Sequence, residues 1–134
     1  MIGILIVTHG NFSVELLKSA ELIVGKQEKI NTISFNYGDN VEVLQKEIYQ
    51  NIISLDEGDG TLVLTDVFGG SPSNATLLNM KNLEFRALSG VNLPMLLELF
   101  CLRDECNDID IVAEKVFDAG KEGIKDLNGI MARS

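Results

Sequence analysis

Apolar residues recur along the chain in two rhythms. Ile2 to Val7 is a run of Ile, Leu and Val without polar alternation, the pattern of a strand buried on both faces of a parallel sheet, and it stops at Thr8-His9-Gly10. Phe12, Leu16, Leu17, Ala20 and Ile23 or Val24 then follow at helical spacing. Asn11 or Ser13 is placed to cap this helix, and Gly25 to end it. Ile30 to Phe35 reads as a second strand, Asn36 to Asp39 as a turn, and Asn40 as the cap of a helix that turns Val41, Leu44, Ile48 and Ile52 inward.

An acidic, glycine-containing loop, residues 56–60, leads into a third buried strand, Thr61 to Thr65, which halts at Asp66. Beyond it, Ser71-Pro72 opens a helix, because proline suits the first helical turn and serine can accept from exposed backbone N–H groups. Ala75, Leu77, Leu78 and Met80 fill that helix before a fourth strand, Glu84 to Leu88. Gly90 to Pro94 connects to an apolar helix, Met95 to Leu102, and Asn107 or Asp108 caps a last one carrying Ile111, Val112, Val116 and Phe117. Strands and helices alternating at this length predict an open, mainly parallel α/β sheet with right-handed crossovers and helices on both faces.

Composition narrows this further. The 134 residues fit a single domain, 1–134, able to bury a core without disulfides or a structural metal, and 46% hydrophobic with 23% charged residues is globular usage. Twenty acidic against eleven basic residues, net charge −9, disfavour nucleic acid and anionic lipid and favour a basic partner. The apolar start is too short for a signal peptide or membrane span, which predicts a cytoplasmic protein. Cys101 and Cys106 have neither zinc-knuckle nor redox spacing, and no metal or other cofactor is expected.

Chemistry converges on one predicted sheet edge. In open parallel sheets ligands bind beyond the carboxyl ends of the strands, where strand order reverses. His9 and Asp66 each lie just past a buried strand, and if those strands are neighbours the carboxylate can fix the imidazole tautomer and leave the second nitrogen nucleophilic. Such a ring suits phosphoryl transfer, which asks mainly for positioning and charge stabilisation. Thr8, Gly10, Gly69, Gly70 and Ser71 are the nearby candidates to stabilise a phosphoryl group through hydroxyls and helix N-termini. Singly, each has a plainer reading: His9 a polar loop residue, Asp66 a turn cap, Ser71 a helix cap. Gly-Gly-Ser-Pro also lacks the lysine and spacing of a nucleotide loop.

Taken in order, Thr8-His9-Gly10, Thr65 to Ala75 with its Asp66-Val67-Phe68-Gly69-Gly70-Ser71-Pro72 segment, and Gly90 to Leu96 resemble the mannose-type enzyme IIA family of the bacterial phosphoenolpyruvate-dependent sugar phosphotransferase system. Gly25-Lys26-Gln27-Glu28 and Phe35-x-x-Gly38-Asp39-Asn40 extend the likeness over nearly the whole chain. The resemblance implies that His9 is phosphorylated by the phosphocarrier protein HPr and passes the group to a IIB component, with Asp66 orienting it and the membrane IIC and IID permease engaged only indirectly. It further implies a homodimer and a fifth, antiparallel edge strand, for which residues 123–132 are the candidate, although that stretch also fits a helical extension. Phe68 stands where family members carry Trp, on the partner-facing edge; it keeps the aromatic contact but loses the indole donor. Some family members fuse IIA to IIB, whereas a chain ending near Ser134 implies a separate IIB. Alternatives are the phosphocarrier subunit of a dihydroxyacetone kinase, whose loop after the aspartate differs, a regulatory relative with the same chemistry, and a flavodoxin-like flavin- or nucleotide-binding module.

Overall fold

A computed structural model describes residues 1–133. Its elements, in chain order, are β1 (Gly3–His9), α1 (Phe12–Val24), β2 (Ile30–Phe35), α2 (Val41–Leu55), β3 (Thr61–Thr65), α3 (Ser71–Asn79), β4 (Arg86–Ser89), α4 (Leu93–Leu102), α5 (Ile109–Glu122) and α6 (Leu127–Arg133). The sheet has the order β2-β1-β3-β4 with every pairing parallel.

Period two explains why β1 shows no polar alternation. Ile4 and Ile6 point into a core shared with Leu16 and Ala20 of α1, Leu96 and Leu99 of α4, and Val112 and Val116 of α5. Leu5 and Val7 point the other way, against Leu44, Ile48 and Ile52 of α2 and Ala75 of α3. Each fully buried aliphatic side chain contributes about 1.5–3 kcal/mol, so two-sided burial makes β1 the spine of the molecule. Asn40, Asn92 and Asp108 cap α2, α4 and α5, their side chains accepting from backbone N–H groups of the second or third residue of each helix.

Several expectations are corrected. Ser71 is not a cap: Gly70 occupies that position, and Ser71 and Pro72 form the first turn of α3. Asn11 holds the cap position of α1 without a side-chain bond, and the work passes to Thr8, whose Oγ1 accepts from the Ser13 N–H at 2.8 Å. β4 begins at Arg86, in register with Leu62 of β3, rather than at Glu84. Leu77 and Leu78 of α3, and Met80 at its C-cap, are exposed, and beside Ala75 the helix buries Ser73, Thr76 and Asn79. That inversion is possible because the buried polar groups are satisfied: Thr76 Oγ1 donates to the Pro72 carbonyl, and Asn79 Nδ2 to the Gln45 and Ala75 carbonyls.

The antiparallel edge strand expected from residues 123–132 is absent among the described residues, where 127–133 form α6. Apolar residues at 124, 127, 130 and 131 recur at helical rather than alternate spacing, which accounts for the helix. None of its residues is buried.

Arg103, at the end of α4, is 3% exposed. Its guanidinium donates to the carbonyls of Ile2, Glu28 and Lys29 and to Gln27 Oε1, tying α4 to the start of β1 and to the loop before β2. The Gln27-Glu28 motif is thus the receptor for this clamp.

Candidate active site

Chain order and sheet order diverge between β1 and β3. From β1 the chain crosses to β2 on one side and later to β3 on the other, which leaves a crevice at the carboxyl ends of the two central strands. His9 ends β1 and Asp66 follows β3 directly.

The two side chains meet there. Asp66 Oδ2 accepts the His9 backbone N–H and the ring Nδ1–H, each at 2.8 Å, while Oδ1 accepts the Val67 N–H at 2.9 Å. Burial pushes the Asp66 carboxyl upward, but the His9 backbone and ring hydrogen bonds, the Val67 N–H and the imidazole charge outweigh it and hold the group below its ordinary value. Asp66 is therefore a carboxylate at neutral pH and can only accept, so Nδ1 carries the proton and the Nε2 lone pair is left for chemistry.

Two further contacts fix the ring. Phe35, the residue paired with His9 across β1 and β2, meets the imidazole edge-on, with centroids 6.2 Å apart and planes at 80°. Gly70 also lies close to the ring: a Cβ there would stand 2.7 Å from His9 Cε1 and 3.3 Å from Nε2. Only the absence of a side chain at 70 lets the α3 entrance come this near the imidazole. Gly69, at φ +91°, makes the turn that brings it there. The His9 side chain is 49% exposed, and Asp66 14%. The imidazole faces solvent while the carboxylate bonded to it is shielded.

The remaining sequence candidates separate into two groups. Gly70 lies against His9, with Gly69 and Ser71 its chain neighbours at the N-terminus of α3. Thr8 and Gly10 do not serve as expected. Thr8 is fully buried with its hydroxyl engaged by Ser13, and the Gly10 N–H donates to the Phe35 carbonyl at 2.8 Å, extending the β1–β2 ladder. Phe68, two residues past Asp66 in the chain, is 78% exposed, and Tyr37 stands fully exposed on an open depression that His9, Phe35 and Asp39 also line. Sequence reasoning passed over Phe35 and Gly70's steric role. The first was readable as the strand-end residue level with His9; the second needs the ring's position.

Among the described residues no group of three or more His, Cys, Asp or Glu side chains is arranged to hold a metal ion. No helix among them is long and apolar enough to cross a membrane.

A family model described as "PTS system fructose IIA component" matches residues 3–117. The mannose-specific EIIAB component of Escherichia coli (strain K12) is 38% identical over 127 residues, covering 94% of this chain and 39% of that protein, so the chain spans about two fifths of that relative's length. The fructose-specific EIIA component of Bacillus subtilis (strain 168) is 30% identical over 132 residues, covering 93% of this chain and 90% of that one. Among solved structures, phosphotransferase system component EIIA from Streptococcus agalactiae superposes with a TM-score of 0.87 at 36% identity, covering 96% and 99% of the two chains.

Proposed function

Because the chain belongs to the fructose/mannose-type enzyme IIA family of the sugar phosphotransferase system, we propose that His9 accepts a phosphoryl group from phospho-HPr at Nε2 and hands it to a IIB component. The observation that carries this reading is the 2.8 Å bond from Nδ1 to the Asp66 carboxylate. It commits the ring to one tautomer.

In the forward step the Nε2 lone pair attacks phosphorus in line, the P–N bond to the donor histidine breaks, and its electron pair returns to the donor imidazole. His9 becomes an N-phosphoimidazolium, whose positive charge is balanced by Asp66 through the retained Nδ1–H bond. The exposed entrance of α3, with Gly69, Gly70 and Ser71, supplies N–H dipoles toward the equatorial oxygens. The second transfer repeats the exchange with the IIB nucleophile. No metal or cofactor enters either step.

The reaction is assigned to the cytoplasm, with Phe68 and Tyr37 as the aromatic rims that HPr and IIB use in turn; the membrane permease is reached only through IIB. The assembly is a homodimer, a reading supported by the exposure of Ile124 (80%) and Leu127 (71%) and by the position of β4 at the sheet edge.

The test is phosphorylation by phosphoenolpyruvate, enzyme I and HPr. Acid-labile phosphate is expected on the wild-type chain and none on His9→Ala. Label that persists in the variant sinks the assignment.

A further inference from the structure

Thr65 and Ser73 are buried hydroxyls, 2% and 5% exposed, and neither has a place in the chemistry above. Thr65 closes β3 and Ser73 lies in the first turn of α3, so they face each other beneath the 66–70 loop, with Oγ1 and Oγ 2.7 Å apart. Ser73 Oγ is also 2.8 Å from the Val67 carbonyl oxygen. A carbonyl can only accept, so the single Ser73 proton goes to Val67, and Thr65 must be the donor to Ser73.

The chain of bonds continues outward. Val67 N–H donates to Asp66 Oδ1, and Asp66 Oδ2 receives both His9 protons. Hydrogen bonds on the two peptide groups of Val67, joined through its backbone, thus link the interior of the sheet to the imidazole. Val67 is 54% exposed, so its backbone is held chiefly by the partners of its N–H and C=O, the carbonyl accepting from Ser73 and, at 3.5 Å, from the Gly70 N–H.

We propose that the Thr65–Ser73 pair is a positioning device for the transfer site, fixing the backbone of Val67 so that Asp66 holds His9 as the Nδ1–H tautomer with Nε2 presented. The kinetic consequence rests on the proposed phosphoryl transfer; the tautomer belongs to the unphosphorylated protein and does not. Removing the Ser73 hydroxyl leaves the Thr65 O–H without its acceptor and takes a donor from the Val67 carbonyl, while removing the Thr65 hydroxyl takes away the bond that holds Ser73 Oγ in place. Either change frees the loop to tilt, which loosens the carboxylate before it touches the histidine.

The experiment takes the full chain with 15N-labelled histidine, which gives one imidazole because the sequence holds one His. Wild type is expected to show the Nδ1–H tautomer. Ser73→Ala and Thr65→Val are expected to show a mixture, and to slow transfer from phospho-HPr about tenfold while still reaching full labelling. The double variant should be no slower than Ser73→Ala, since the two hydroxyls act as one unit, and Thr65→Ser should restore both readouts. Ile52→Val, in the core under α2, lowers stability without touching the loop and should leave tautomer and rate alone. The inference is overturned if Ser73→Ala leaves either the tautomer or the rate unchanged, or if Ile52→Val slows transfer equally. Persistent labelling of His9→Ala would remove the proposed function, yet the tautomer comparison would still decide the positioning role.

Discussion

A methyl group at position 70 would stand 2.7 Å from His9 Cε1 and 3.3 Å from Val67 Cγ1, closer than packed carbons approach. The ring cannot yield freely, because its Nδ1 is tied to Asp66 at 2.8 Å and Phe35 meets it edge-on. Gly70 itself has an ordinary backbone, φ −81° and ψ 170°, so alanine is tolerated there and the effect is purely steric. Gly70→Ala is therefore expected to slow phosphoryl transfer about 100-fold, the scale of a displacement near 1 Å at a reacting centre, while leaving the urea midpoint close to wild type. Unimpaired single-turnover transfer would show that the ring has a second productive position. At this scale the sequence exposed His9 and Asp66, since each ends a buried run and only strand adjacency was needed to join them. It hid the fates of Thr8 and Gly10, because whether a hydroxyl or amide faces a site or is spent on Ser13 or Phe35 depends on side-chain direction and ladder register.

Elements were legible where burial alone decides them. β1 and β3 are buried on both faces, so their uninterrupted apolar runs mark them without ambiguity, and the caps at Asn40 and Asp108 announce α2 and α5. α3 misled because it packs through small and polar residues whose bonds are satisfied internally, leaving its leucines outside. Arg103 belongs to the same class of unreadable feature: an arginine at a helix end looks like a solvated charge, and here it is a buried donor to three carbonyls and a glutamine. Burial pushes its pKa down, while Asp104 and Glu28 oppose that, and it stays charged at neutral pH. Arg103→Met would leave those carbonyls unsatisfied beneath α4. We expect a loss of roughly 2–4 kcal/mol, measured as a lower urea midpoint. Transfer by the folded fraction should be unchanged, since the clamp grips the start of β1 and His9 ends that strand, about 20 Å away at the rise of an extended chain.

At the scale of the whole molecule, the apolar surface at the carboxyl-terminal end has no use in a lone chain. α6 buries none of its residues, Ile124 and Leu127 are 80% and 71% exposed, and β4, only four residues long, sits at the open edge of the sheet. A short edge strand is easily capped, and Ile124 and Leu127 expose aliphatic surface three residues apart in the chain. Charge repulsion between two such copies opposes association, so an interface must draw its stability from apolar burial, and these residues offer it. The wild-type chain is expected to sediment at twice its 14.7 kDa mass at micromolar concentration, and Ile124→Glu combined with Leu127→Glu to sediment as a monomer with unchanged far-ultraviolet dichroism of the parallel-sheet body. Because His9 and Asp66 lie at the carboxyl ends of β1 and β3 within one chain, the monomeric variant should still take up phosphate from HPr. A variant that stays dimeric would exclude this surface as the interface; one that becomes monomeric and cannot be phosphorylated would mean that the second copy completes the site.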